Sequence, residues 1–319
     1  MKQNLIMGFS ASRLCEAWRR AFVAFLLPAL VIFALGGCSA ARLGYSNGET
    51  ISYFWLNNYV DFRAEQKTGV REDIDALFAW HRQTQLPYYV GILTQAQKRA
   101  NAPVTEVELK ADYEELKSHL ARLTTHALPA VADLALSLRP EQIASIERKF
   151  VSNNETYRKE FLQGDVEERQ QKRFKRTLKQ AEYWLGNLSS EQERRLRAVS
   201  NARPVETEVL MADRVKWQTT LVSLLRKIVA EKPSRPVTIA LLQEFANGAF
   251  SHFGQPEIKK VFDARTAGTV HLVADTLNHA TPEQKAHFVK TMQHWIDDFN
   301  VLSGRRNGSI PTAQASPPG

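Results

Sequence analysis

An all-α fold, a multi-helix bundle of about ten helices, follows from three features of this 319-residue chain. Apolar residues recur at steps of three and four along most of its length, the spacing that lines one side of an α-helix. No segment sustains the period-two alternation, bounded by turn pairs, that marks strands. Proline (13) and glycine (15) are sparse and fall between the periodic runs, where helices end.

The N-terminal segment reads as a leader, outside the bundle. Lys2, Arg13, Arg19 and Arg20 precede an apolar stretch of fourteen residues, Ala21 to Ala34. That is short of the roughly 20 residues a bilayer core requires, and has the length of a secretory hydrophobic region. It runs into Leu35-Gly36-Gly37-Cys38. Residues 38–49 then form a tether containing Gly44 and Gly48.

The bundle is expected over residues 50–303. Ile51–Val60 is dense in aromatics and predicts a first short helix. Leu86-Pro87 and Asn101-Ala102-Pro103 end the next two. Leu109, Tyr113, Leu116, Leu120, Leu123, Ala127, Val131, Leu134 and Leu138 form one apolar stripe over eight turns, interrupted at Pro129, where a kink is expected. Gly164-Asp165 separates two helices, with Asp165 as the N-cap of the second. Arg203-Pro204 and Lys232-Pro233 bracket a long helix with the stripe Leu210, Trp217, Leu221, Leu224 and Ile228. Gly254-Gln255-Pro256 is a turn, and Phe288, Met292, Trp295, Phe299 and Leu302 line the last helix. Residues 304–319, polar and proline-rich, predict a disordered tail.

A short element recurs at helix starts: Phe62-Arg63-Ala64-Glu65-Gln66, Leu138-Arg139-Pro140-Glu141-Gln142, Leu188-Ser189-Ser190-Glu191-Gln192 and Ala280-Thr281-Pro282-Glu283-Gln284. Ser189 or Thr281 can cap free amides, proline fits the first helical position, and the glutamate complements the helix dipole. The glutamines lie 76, 50 and 92 residues apart, which argues against a strict solenoid.

The net charge of +8, with 42 basic against 34 acidic residues, first suggests nucleic acid. Residues 1–37 carry Lys2, Arg13, Arg19, Arg20 and the single acid Glu16, so the chain after them has 38 basic and 33 acidic residues, or +5. Cys15 lies in the leader, leaving Cys38 alone; this excludes an internal disulfide, a cysteine nucleophile and a cysteine-based zinc site. Most remaining charges alternate in sign, and no nucleic-acid partner is expected.

The excess charge is plainest on the helix after Asp165. Arg169, Lys172, Arg173, Arg176 and Lys179 share one broad face, opposite Phe174, Leu178, Ala181 and Leu185. Two readings fit: a site for anionic groups or an acidic client, or a solvated face balanced by Glu167, Glu168 and Glu182. Tyr53, Phe54, Trp55 and Tyr59 also have two readings: rings at a membrane interface, or a plug for the end of the helical core. The eight histidines show no ligand spacing. His287 and His294 share a face, His81 ends a helix, and Asp297 and Asp298 read as a hydrated face. No nucleophile elbow, phosphate loop or zinc-protease motif is present, so no catalytic residue, metal or cofactor is expected.

Leu35-Gly36-Gly37-Cys38 resembles the lipobox of bacterial lipoproteins. The resemblance implies cleavage between Gly37 and Cys38, a diacylglycerol thioether on Cys38, and further acylation such as palmitate. Ser39, where an aspartate would imply retention at the inner membrane, implies the periplasmic side of the outer membrane. The recurring helix starts resemble the Leu-Thr-x-x-Gln motifs of the periplasmic chaperone Spy and its stress-sensor relatives, which are all-helical and cradle-shaped. Tyr53-Phe54-Trp55-Leu56-Asn57-Asn58-Tyr59-Val60-Asp61 and Ala79-Trp80-His81-Arg82-Gln83-Thr84-Gln85-Leu86-Pro87 are similar to a widespread family of uncharacterised Gram-negative lipoproteins. Asn57-Asn58 stand where that family tends to have acids. The lipobox and family resemblances imply a lipid-anchored, all-helical envelope protein; with the recurring helix starts and the basic helix, the expectation is a helical cradle that binds unfolded or envelope proteins without catalysis. A structural role in an envelope complex, or an enzyme acting on peptidoglycan or lipid, are the alternatives.

Overall fold

A computed structural model describes residues 37–204 and 206–304, and among them it contains helices and turns but no strand. The expected leader up to residue 36 and the tail from residue 305 lie outside the described residues. The chain divides into two units. In the first, which ends at Asn47, the helix α1 (Gly37–Ser46) occupies most of the stretch read as a tether.

The second unit, from Gly48 on, carries eleven α-helices among its described residues. They are α2 (Gly48–Val60), α3 (Ala64–Thr84), α4 (Leu86–Arg99), α5 (Glu106–Ser137), α6 (Pro140–Tyr157), α7 (Val166–Leu185), α8 (Ser190–Ala202), α9 (Thr207–Glu231), α10 (Arg235–Phe250), α11 (Pro256–Asn278) and α12 (Pro282–Leu302). α6 runs on into a π-helical turn, Arg158–Leu162. Local chemistry sets most of the boundaries. Pro140, Pro256 and Pro282 open their helices, where the missing amide hydrogen costs nothing. The Asp165 carboxylate accepts from the Glu168 amide at 2.8 Å, as the N-cap reading expects. Pro129 sits inside α5 without ending it.

Two apolar cores hold the unit together. The larger gathers Tyr53, Phe62, Ile74, Ala132, Leu138, Ile143, Val222, Ile228 and Leu242, from α2, α3, α5, α6, α9 and α10 and the turns that lead into them. The smaller joins Phe174 of α7, Leu196 of α8 and Leu272 of α11. The stripe expected along α5 needs correction. Tyr113, Leu116, Leu120 and Val131 are exposed, and α5 buries His119, Leu128, Ala132 and Ala135 instead. The apolar residues of α5 cover more of its circumference than one packing face, and the neighbours take the side centred on the alanines, where backbones approach closely.

The four recurring helix starts meet in two pairs. Each glutamine closes its own helix start by accepting the amide of Arg63, Arg139, Ser189 or Thr281, at 2.9–3.2 Å. Across each pair the side-chain amides then bond reciprocally. Gln142 donates to Gln66 at 2.8 Å and Gln66 to Gln142 at 3.4 Å. Gln192 donates to Gln284 at 2.7 Å and Gln284 to Gln192 at 3.0 Å. The second hydrogen of each amide reaches a carbonyl five residues before the partner glutamine: Ser137, Asp61, His279 or Asn187. Both clasps are therefore locally two-fold and fully hydrogen-bonded, which a buried amide requires. The recurrence is a pairing rule, and pairing places no demand on equal spacing.

Candidate functional site

The basic face of α7 opens onto a cavity of about 510 Å³, bounded also by the end of α6, the α8–α9 connection and α11. Arg169, Lys172, Arg173 and Arg176 line it, while Lys179 is exposed elsewhere on the helix. Arg203, at the end of α8, and Arg265, on α11, join them, so six cations face two carboxylates, Glu160 and Glu206. The acids that would neutralise a merely solvated face, Glu167, Glu168 and Glu182, do not line the cavity.

Packing holds these side chains in place. The Arg173 guanidinium donates to the Pro204 carbonyl at 2.9 Å and the Arg203 carbonyl at 3.0 Å, tying α7 to the proline break after α8. Arg169 is ion-paired with Glu208 in the first turn of α9. The Arg176 guanidinium lies 5.0 Å from the centre of the Phe161 ring, within cation–π range. Phe161 and Glu160 belong to the π-helical turn, which carries the C-terminal end of α6 to the cavity wall. Gly268 lets Arg203 lie against α11: a β-carbon there would come within 3.0 Å of the Arg203 Cγ.

The result is concentrated positive charge with limited solvation. Burial, followed by the neighbouring Arg203, Arg265 and Arg176, pulls Arg173 down to about 10. Burial and Arg265 also lower Arg203. Among the described residues, the Nε atoms of Arg169 and Arg173 and one carboxylate oxygen of Glu206 are buried without a hydrogen-bond partner. An anion in the cavity relieves the mutual repulsion and gains charge-assisted hydrogen bonds from planar guanidinium groups.

The other expected site residues divide. Tyr53 and Tyr59 pack into the larger core, whereas Phe54 and Trp55 are 60% and 58% exposed. Tyr53 is thus a core residue, and the interface reading narrows to Phe54 and Trp55. Asp298 is not on a hydrated face: it is 2% exposed and follows Gln284 and Thr291 at seven-residue steps along a buried polar line of α12. Asp297 accepts a bond from Gln293. His81 is pushed down by burial and by Arg82. His287 and His294 are exposed. No group of three or more His, Cys, Asp or Glu converges as a metal site among the described residues. The side chain of Cys38 lies outside them.

Arg203 and Arg265 escape a reading of the sequence because neither sits in a charge run. The one local signal is Arg203-Pro204, a helix-ending pair whose carbonyls, left without a helical partner, accept from Arg173.

No curated protein and no solved structure matches the chain. A match to a described family begins in α2 and ends in α10, so it takes in the basic face of α7 and Arg203 but not Arg265. The chain belongs to the DUF6279 family, a family of unknown function, whose pattern spans residues 58–244.

Proposed function

We propose that this protein is an outer-membrane-anchored periplasmic lipoprotein that acts by binding, without catalysis, as a chaperone-like helical cradle for anionic groups of an envelope client. The observation that carries the binding reading is the cavity of about 510 Å³ where six cations face two carboxylates. The order of basic residues, apolar stretch, small residues and Cys38 in the leader supports the anchor. Among the described residues no helix is long and apolar enough to cross a membrane; in this reading the lipid on Cys38 supplies the attachment.

Two experiments test this reading. Replacing Arg176 and Arg265 together by glutamine removes two cavity cations without touching the bonds of Arg173. Association of the full chain with acidic unfolded clients should weaken by about tenfold or more, since a hydrogen bond to a charged group contributes about 1.5–3 kcal/mol. It should also weaken steeply with salt. Equal binding by the double variant refutes the cavity as the binding site. Separately, Cys38→Ala should abolish metabolic lipid labelling, and persistent labelling refutes the anchor.

A second reading, a structural subunit of an envelope complex, draws on the exposed apolar residues Val107, Leu116 and Leu120 of α5. Crosslinking in intact cells from a position beside Leu116 should then recover one reproducible envelope partner, and a diffuse set of products favours client holding.

A further inference from the structure

The cationic cavity adjoins a second hollow of about 360 Å³, and Thr177, Gln180, Leu272 and Val273 border both. No ionisable side chain lines the second hollow. Its far walls are Leu93 and Ala96 of α4, Trp184 of α7, Leu277 of α11, and Phe288 and Met292 of α12. Each hollow alone has the size of a small-molecule site, about 300–1,000 Å³. α7 supplies both: Arg169, Lys172, Arg173 and Arg176 toward one end, and Ala181, Trp184 and Leu185 about one and a half to two and a half turns beyond Arg176.

We propose that the two hollows form one site for an anionic amphiphile, with a phosphate-bearing headgroup among the guanidinium groups and a single acyl chain in the apolar hollow. This rests on the anion-binding reading above and specifies its ligand. A free anion leaves the apolar hollow unexplained, and an uncharged apolar ligand leaves the arginines unexplained. A phosphate monoester carries about 1.5–2 negative charges and three acceptor oxygens, enough to engage several arginines at once. A zwitterionic choline headgroup brings a fixed cation against six others and is disfavoured. The apolar hollow has no charged wall to hold an acidic peptide, whereas a hydrocarbon chain needs none.

The test uses the full chain kept soluble in a fluorinated surfactant, which leaves hydrocarbon sites free. The probe is lysophosphatidic acid with a brominated acyl chain, whose bromine quenches nearby tryptophan. Lysophosphatidylcholine with the same chain and inorganic phosphate are the comparison arms. Saturable quenching by the phosphate lipid is expected, at least tenfold tighter than for the choline lipid. Trp184→Phe should remove most of the quenching while calorimetry still reports saturable lipid binding, weakened by the loss of part of the apolar wall. Lengthening the acyl chain should tighten binding to the unmodified protein by about fourfold per methylene until the hollow is filled. Ala96→Phe, which projects a ring into the hollow and shortens the space for a chain, should end that chain-length dependence at a shorter chain and leave inorganic phosphate binding unchanged. Lysophosphatidic acid binding no tighter than inorganic phosphate overturns the amphiphile inference while the cationic reading stands. Binding of neither overturns both, and quenching that persists in Trp184→Phe overturns the placement of the chain.

Discussion

Replacing Gln142 by leucine removes one half of the first amide clasp. Gln142 is 4% exposed and uses both ends of its amide. It donates to Gln66 at 2.8 Å and to the Asp61 carbonyl at 3.2 Å, and accepts from the Arg139 amide at 3.2 Å. Those three hydrogen bonds, of about 1 kcal/mol each, are lost together with the long one that Gln66 donates back at 3.4 Å, and the Gln66 and Asp61 oxygens are left short of a donor in a buried place, so the cost should be about 2–4 kcal/mol. At about 2–4 °C per kcal/mol for a chain approaching this size, the midpoint of thermal unfolding should fall by about 5–12 °C. Gln142→Glu is the sharper probe, because it keeps the shape and replaces a donor by an acceptor. Its new oxygen would face the Gln66 and Asp61 oxygens. Facing acceptors and burial raise the folded-state pKa of that carboxyl. The penalty is therefore small below the unfolded value of about 4.3 and grows as pH rises toward the folded pKa. Urea unfolding followed by circular dichroism at pH 4 and pH 7 measures both variants. A glutamate variant within about 0.5 kcal/mol of the parent at pH 7 would show that the clasp does not form. So would a Gln66→Leu, Gln142→Leu cycle with no coupling energy.

Three further predictions follow from the packing. His119 is 1% exposed, with Nδ1 2.8 Å from the Gln85 amide oxygen, and burial followed by Arg122 lowers its pKa against a smaller opposing effect of Glu115. The folded state thus holds the neutral ring, and this contribution to stability should be complete above about pH 6.5 and be lost as pH falls from there toward the folded value. In denaturant titrations, the stability difference between the parent and His119→Gln should shrink from pH 7 to pH 5, and a constant difference refutes the reading. Tyr53→Ala should destabilise by about 3 kcal/mol, whereas Trp55→Ser should cost less than about 1 kcal/mol and reduce affinity for vesicles. Equal costs would contradict the division of the aromatic helix. Asp165→Ala should cost about 1 kcal/mol in urea unfolding through loss of the α7 N-cap, and a neutral result would place the start of α7 elsewhere.

The features legible in the sequence are those set by neighbours along the chain. Pro140, Pro282, Asp165 and Ser189 act within one helical turn, so the helix starts they mark appear where expected. The basic face of α7 follows from helical periodicity alone. Contacts made across the fold were not legible. The pairing of Gln66 with Gln142, and of Gln192 with Gln284, needs helix starts brought together from 76 and 92 residues apart. Arg203 and Arg265 become site residues through the packing of α7 against α8 and the approach of α11. Along α5, periodicity reports which side of the helix is apolar, and only the neighbours decide which part of that side is covered. Asp298 escapes for a related reason: its charge and the neighbouring Asp297 suggest a hydrated face, yet it lies on the inward line of its helix, seven residues after Thr291.

The two clasps also order the assembly of the chain in time. Closing loops of 76 and 92 residues differs in entropic cost by only about 0.2 kcal/mol, so length gives neither an advantage. Their contents do differ. The first loop holds α3, α4 and α5 and can shut with no element beyond the start of α6 in place. The second loop encloses α9 and α10, whose Val222, Ile228 and Leu242 must turn back to complete the larger core. Closure at Gln284 therefore comes after that return and fastens the last helix, which packs on α4 and α7, once the larger core is filled. In pulse-labelled hydrogen exchange, amides around Gln142 should gain protection before those around Gln284, and the reverse order would contradict this sequence of closures. The same feature makes α12, which also walls the apolar hollow, the element whose arrival completes the binding site.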